Sequence, residues 1–138
     1  MVSNMCMCMH FHISSGHPLA MAAGLATLEV YKEQQLFERA NDLAPYFESL
    51  LHSLKDLPNV IDVRNCGMMG AIEMSPLPGA PAKRNMDVFD RCFDKGVFVR
   101  VSGPSIALSP PLTSEKKHLD FAVQVLAEAI NESAAQLK

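Results

Sequence analysis

The sequence predicts an α+β domain, with helices laid against a small mixed or antiparallel sheet in the order ααββαββα. Three observations carry this. Four stretches place apolar residues in helical patterns. Four short β-branched or apolar runs come in two pairs, each pair joined by turn residues. The chain has 138 residues, 49% hydrophobic and 20% charged, which suits one compact domain with its own core and argues against disorder.

The opening MVSNMCMCMHFH is unlike the rest: four of the nine methionines and two of the four cysteines fall in its first nine residues. Residues 1–13 read as an atypical leader without fixed structure. Ser14 and Ser15 then offer capping hydroxyls, Gly16 permits a tight turn and Pro18 suits a first helical position, so a helix is expected over 18–31. Its first two turns are apolar on every side, from Leu19 to Ala26, as in a helix surrounded by protein. A second, amphipathic helix is expected over 34–54 from Leu36, Ala40, Leu43, Phe47, Leu50, Leu51 and Leu54, kinked or divided at Pro45.

Residues 59–64 and 69–74 read as two strands joined by a turn at Asn65-Cys66-Gly67. After the Pro/Gly loop SPLPGAPAK, residues 84–94 read as a helix with Met86, Phe89 and Phe93 on one face, Cys92 beside them and a stop at Gly96. A strand follows over 97–101, with Val97, Val99 and Val101 facing one way and Phe98 and Arg100 the other. A short strand over 106–108 ends against Pro110-Pro111. Thr113 or Ser114 is expected to cap a last helix with Leu119, Val123, Leu126 and Ile130 as its stripe.

The net charge of -3, with no run of five or six like charges, provides no electrostatic footprint for nucleic acid. No stretch reaches the roughly 18 apolar residues of a membrane span and no signal peptide opens the chain, so a cytoplasmic protein with reduced thiols is expected. Cys6, Cys8, His10 and His12 carry metal-binding side chains, but C-x-C-x-H-x-H lacks the loop spacing of structural zinc sites, and no metal site is assigned.

Arg100 lies in an apolar strand opposite three valines. A guanidinium there either grips a planar carboxylate through two parallel hydrogen bonds or sits on an edge strand facing water. Ser14 and Ser15, ahead of a helix N-terminus, either contact a phosphate or simply cap. His17 precedes a proline, has no recognisable partner and reads as structural.

Three strings, SSGHPLAMAAGLATLEV, LPNVIDVRNCGMMGAIEM and GVFVRVSGPSIALSPPL, resemble in order and spacing the C-terminal part of class III pyridoxal-phosphate aminotransferases, nearest to the β-alanine (omega-amino acid):pyruvate branch. The resemblance runs over 14–137. It implies an aspartate-aminotransferase-like fold, in which residues 14–138 are a linking helix plus the C-terminal part of the small domain, packed against a large cofactor domain in a homodimer. It further implies pyridoxal 5'-phosphate as electron sink, amino and keto acids as substrates, and Arg100 as the substrate-carboxylate contact. Arg64, in VIDVRNCGMMGAIE, matches a position read as structural.

In such enzymes the Schiff-base lysine, the aspartate facing the pyridine nitrogen and the stacking aromatic lie upstream of the matched region, and none of the seven lysines here sits in a matching motif. Where the family has Thr-Tyr, the threonine touching cofactor phosphate across the dimer interface, this chain has Ile13-Ser14; Ser14 and Ser15 are the candidates to replace it. The expectation is a transaminase segment, inactive by itself, from a truncated, frame-shifted or split gene. The alternatives are one half of a split enzyme and a noncatalytic carboxylate-binding module.

Overall fold

The computed structural model describes residues 16–137. The chain divides into two bodies, Met1–Gln35 and Leu36–Lys138. The leader, with Cys6, Cys8, His10 and His12, and the serines Ser14 and Ser15 lie outside the described residues.

The first body contributes helix α1, Pro18–Glu33. Proline stands at its first position, where the missing N–H costs nothing, and Gly16 just before it takes φ +94°. His17 is the N-cap; it makes no side-chain cap, and its carbonyl accepts from Met21 N–H at 3.0 Å. No residue of α1 is buried, and Leu19, Met21, Leu25 and Leu28 are all exposed.

In the second body, helix α2 runs Leu36–His52 and buries Leu36, Phe47 and Leu51 along one stripe. Pro45 neither divides nor ends it. The carbonyl that proline leaves without a donor, four residues back, belongs to Asn41; both residues are exposed, so water can serve the orphan group.

Strands β1, Val60–Cys66, and β2, Met69–Met74, form an antiparallel hairpin in which Cys66 pairs with Met69. The turn is therefore Gly67-Met68, one residue later than expected, with Gly67 at φ +56°. Gly70 has a packing reason: a Cβ there would collide with the Leu51 side chain of α2.

Helix α3, Lys83–Asp94, buries Arg84, Asn85, Val88 and Cys92. This corrects the predicted face, since Met86 and Phe93 are exposed. The two buried polar side chains are both satisfied. Arg84 donates from Nε to Ser75 O at 2.9 Å and from Nη1 to Leu137 O at 3.2 Å, and Asn85 Nδ2 donates to Gly103 O at 2.9 Å. The helix ends in a Schellman motif: Gly96 at φ +84°, with Gly96 N–H donating to Phe93 O and Val97 N–H to Cys92 O.

Strands β3, Arg100–Ser102, and β4, Ser105–Leu108, make a second antiparallel hairpin through Gly103-Pro104. The predicted strand over 97–101 is thus mostly outside the ladder. Continuing the observed register would put Val97 opposite Pro110, which has no N–H to donate. The alternation survives nonetheless, with Val97 and Val99 buried and Phe98 and Arg100 exposed.

Helix α4, Lys116–Gln136, buries Leu119, Val123, Leu126 and Ile130 as predicted, and also Val125, Ala129 and Ser133. Its N-cap is Glu115, not Thr113 or Ser114. Glu115 accepts from the N3 amide while His118 Nδ1 accepts from Glu115 N–H at 3.1 Å, a reciprocal capping box.

The sheet order is β1-β2-β4-β3, antiparallel throughout. Its inner face, with Val63, Ile72, Met74, Ile106 and Leu108, packs with Phe47, Leu51, Val88, Leu119, Leu126 and Ile130 from α2, α3 and α4 in one core. The predicted order ααββαββα and the two-layer class are the ones observed.

Candidate functional site

Side chains alternate across a strand, so the residues that leave the core share the outer face of the sheet. The register aligns four of them in one cross-strand row: Arg64 opposite Ala71, Ala71 opposite Ala107, and Ala107 opposite Arg100. Three strand spacings of about 4.8 Å separate the two arginines, roughly 14 Å between backbones. Two alanines form the floor between them.

The two arginines are used differently. Arg64 Nη1 donates to Glu73 Oε2 at 2.9 Å and to Asp62 Oδ2 at 3.0 Å, while Nη2 donates to Ser105 Oγ at 3.0 Å. One guanidinium thus ties β1, β2 and β4 together, and its pKa is raised by the hydrogen bonds to Glu73 and Asp62. These pairs are half exposed, so water screens them and they add little to stability. The reading of Arg64 as structural agrees with this geometry.

Arg100 stands on edge strand β3, is exposed, and makes no side-chain hydrogen bond or ion pair with another described residue. Each of the other four arginines, Arg39, Arg64, Arg84 and Arg91, donates at least two hydrogen bonds. Of the two sequence readings, the chain therefore presents Arg100 as an edge-strand arginine directed outward, with its five N–H donors available. Phe98, on the same side of the strand and 77% exposed, lies edge-on to Phe89 with ring centroids 5.7 Å apart. Phe93 stacks on Phe89 at 6.2 Å. An open guanidinium beside an aromatic surface can bind a planar anion carrying a short apolar body.

A pyridoxal cofactor would need a neutral lysine amine and an anion cradle. Among the described lysines, Lys32, Lys55 and Lys83 are exposed on the surface, and the other three are engaged elsewhere. Lys95 lies between Glu132 at 2.8 Å and Glu128 at 3.0 Å, and these bonds raise its pKa, favouring the charged ammonium. Lys117 pairs with Glu115 at 2.8 Å, and Lys116 lies 4.7 Å above the Tyr46 ring. The described residues do not fit that cofactor. Ser14 and Ser15, the sequence candidates for its phosphate, lie outside them, and the start of α1 has no side-chain cap.

Among the described residues no group of three or more His, Cys, Asp or Glu is placed to hold a metal ion, and no helix is long and apolar enough to cross a membrane. The sequence reading missed the partners of Arg64. The opposite charges of Arg64 and Glu73 in one predicted hairpin were a usable signal. Ser105 was not, because it meets Arg64 only through the β2–β4 pairing.

Comparison with known proteins supplies the context. The family model described as Aminotransferase class-III matches residues 4–130. The chain is 50% identical over 123 residues to an omega-aminotransferase of Caulobacter vibrioides, covering 89% of this chain and 28% of that protein. It is 37% identical over 122 residues to a beta-alanine--pyruvate aminotransferase of Pseudomonas aeruginosa, covering 88% and 27%. Among solved structures, a transaminase with L-alanine superposes with TM-score 0.82 at 28% identity, covering 89% of this chain and 30% of that one. The adenosylmethionine-8-amino-7-oxononanoate aminotransferase of Methanocaldococcus jannaschii superposes with TM-score 0.77 at 32% identity, covering 90% and 30%. The chain spans under a third of the length of the relatives it matches.

Proposed function

Because the chain belongs to the class-III aminotransferase family, which is dependent on pyridoxal phosphate, we propose that it is the carboxylate-recognising segment of a transaminase that moves an amino group from an omega-amino acid such as β-alanine to pyruvate. The observation that carries this reading is Arg100: an arginine with no partner among the described residues, on the outer face of the sheet, with two alanines beside it. It grips the substrate carboxylate through two parallel, charge-assisted hydrogen bonds, and Phe98 offers apolar contact to the adjoining carbons. The residues of this chain hold and orient the acid and move no proton.

The chain alone is inactive, in this reading, because its described lysines are engaged with carboxylates or exposed, and none lies in the family's lysine motif. In this reading the segment 14–138 works against a large cofactor domain and a homodimer partner, and residues 1–13 are a leader to it.

The test has two parts. Purified chain is incubated with pyridoxal phosphate, its absorbance recorded before and after borohydride reduction, and its peptides mapped. No pyridoxyl-lysine and no transamination of β-alanine with pyruvate are expected, and a specific adduct with turnover overturns the inactivity. Binding of pyruvate is then followed by saturation transfer to its methyl group. It is expected in the parent chain and lost in Arg100→Ala; equal binding by both overturns the role of Arg100.

A further inference from the structure

The charged side chains at strand positions on the outer face are Asp62, Arg64, Glu73 and Arg100, two of each sign. Glu73 and Asp62 lie in the row of Ser102, two residues along from that of Arg100, so Glu73, two strand spacings away, is roughly 12 Å from Arg100 between backbones and Asp62, three away, roughly 16 Å. Neither acid reaches Arg100. Both are held by Arg64, at 2.9 and 3.0 Å, and Arg64 is anchored in turn by Ser105. Arg64 offsets one of these two negative charges, so an anion approaching Arg100 meets a face that otherwise carries one net negative charge instead of two. Without Arg64 the same face would carry two carboxylates against one guanidinium.

We propose that Arg64 tunes the outer face for anions: by offsetting one of the two negative charges of Asp62 and Glu73, it sets how firmly Arg100 holds a carboxylate. Arg64 is a positioning residue, acting through Arg100 without touching the ligand, and the inference rests on the reading of Arg100 given above. At separations of roughly 12 to 16 Å through water, one unit charge changes an ion's affinity by about 1.5- to 2-fold. The effect is long-ranged at ~10 mM ionic strength and screened out near 1 M salt.

The experiment measures pyruvate affinity of the full chain by saturation transfer at low and high ionic strength. Arg64→Ala is expected to weaken binding about 1.5- to 2-fold at low salt, with the difference vanishing at high salt. Adding Asp62→Asn and Glu73→Gln to Arg64→Ala raises the affinity to at least the parent's, because the face then carries no charge but that of Arg100, although the clamp across the strands is still gone. The Asp62→Asn/Glu73→Gln pair with Arg64 intact strengthens binding by a similar factor, which gives a readout even if Arg64→Ala fails to fold.

An affinity unchanged by these substitutions overturns the proposal. A loss that salt does not abolish and neutral acids do not restore also overturns it, since that pattern belongs to a structural clamp. If Arg100→Ala abolishes binding while the Arg64 and acid variants bind as the parent does, this inference fails and the Arg100 reading stands. If the parent does not bind pyruvate, or Arg100→Ala binds as well as the parent, the Arg100 reading fails and takes this one with it.

Discussion

Arg64 Nη2 donates to Ser105 Oγ at 3.0 Å, reaching from edge strand β1 across β2 to β4. The pair shares the outer face with Arg100, yet Arg64 is held by three acceptors and Arg100 has none among the described residues. Similar side chains in one cross-strand row thus serve opposite ends, one closing the sheet and the other left open for a ligand. Ser105 is buried, so Ser105→Ala is expected to lose about 1 kcal/mol of stability, read as a lowered urea midpoint with unchanged slope.

Gly70 lies beneath Leu51, where a methyl group would overlap the leucine side chain. Both residues are buried, and overpacking there forces a rotamer or backbone shift. Gly70→Ala is expected to destabilise by about 1–3 kcal/mol. Leu51→Ala alone should cost about 2–5 kcal/mol by leaving a cavity. In the double variant the alanine at 70 has room, so a double-mutant cycle in urea should give a combined loss smaller than the sum. An additive result would show that Leu51 moves aside freely.

The α3–α4 contact is bridged by Lys95 to Glu132 and Glu128 and by Arg91 to Glu132 at 3.2 Å. Hydrogen bonds from Lys95, joined by Arg91 at Glu132 and by Gln124 at Glu128, hold both glutamates below the usual carboxylate range. The lowered folded-state pKa means that their stabilisation is present above the unfolded glutamate pKa and is lost as pH falls through the folded one. The urea midpoint should therefore drop as pH is lowered through the carboxylate range, and Lys95→Met should make that drop shallower. Both groups are exposed, so 1 M salt should reduce the difference between the two proteins.

Cys66 is exposed and Cys92 is fully buried, with burial pushing the Cys92 thiol up to about 11. The thiolate is the reactive form, so Cys92 is doubly protected. Alkylation at pH 8 followed by peptide mapping should label Cys66 rapidly and Cys92 only in denaturant. A raised thiol pKa has the opposite sign to the glutamates: its contribution is complete below the unfolded value and is lost as pH rises through the folded one. Rapid labelling of Cys92 in the native chain would show that α3 opens locally.

Leu19, Met21, Leu25 and Leu28 are exposed on α1, leaving more apolar surface than single residues on a soluble helix usually show. The isolated chain is expected to self-associate at high concentration. Replacing Leu19, Leu25 and Leu28 with glutamine should shift sedimentation velocity toward the monomer. A parent chain that stays monomeric at high concentration would count against this.

Local chemistry alone determined a good deal of this protein. The order ααββαββα, the proline start of α1, the glycine stop of α3, the stripe of α4 and the inward valines around Arg100 all follow from side-chain period and from the special backbone freedom of glycine and proline. Three strings of residues were enough to point to the class-III family.

Tertiary contacts decided the rest. The face α3 buries carries Val88 and Cys92 together with Arg84 and Asn85, and those two polar side chains can be buried there because each finds a backbone carbonyl presented by a distant segment. Pro45 stayed within α2 because its orphan carbonyl faces water. The ladder at 97–99 failed because the register places Pro110 opposite Val97. The row that joins Arg64 to Arg100 depends on β2 pairing with β4, a contact between residues more than thirty positions apart. Periodicity fixes which way a side chain points along its own strand, but only the pairing of distant strands decides what stands beside it.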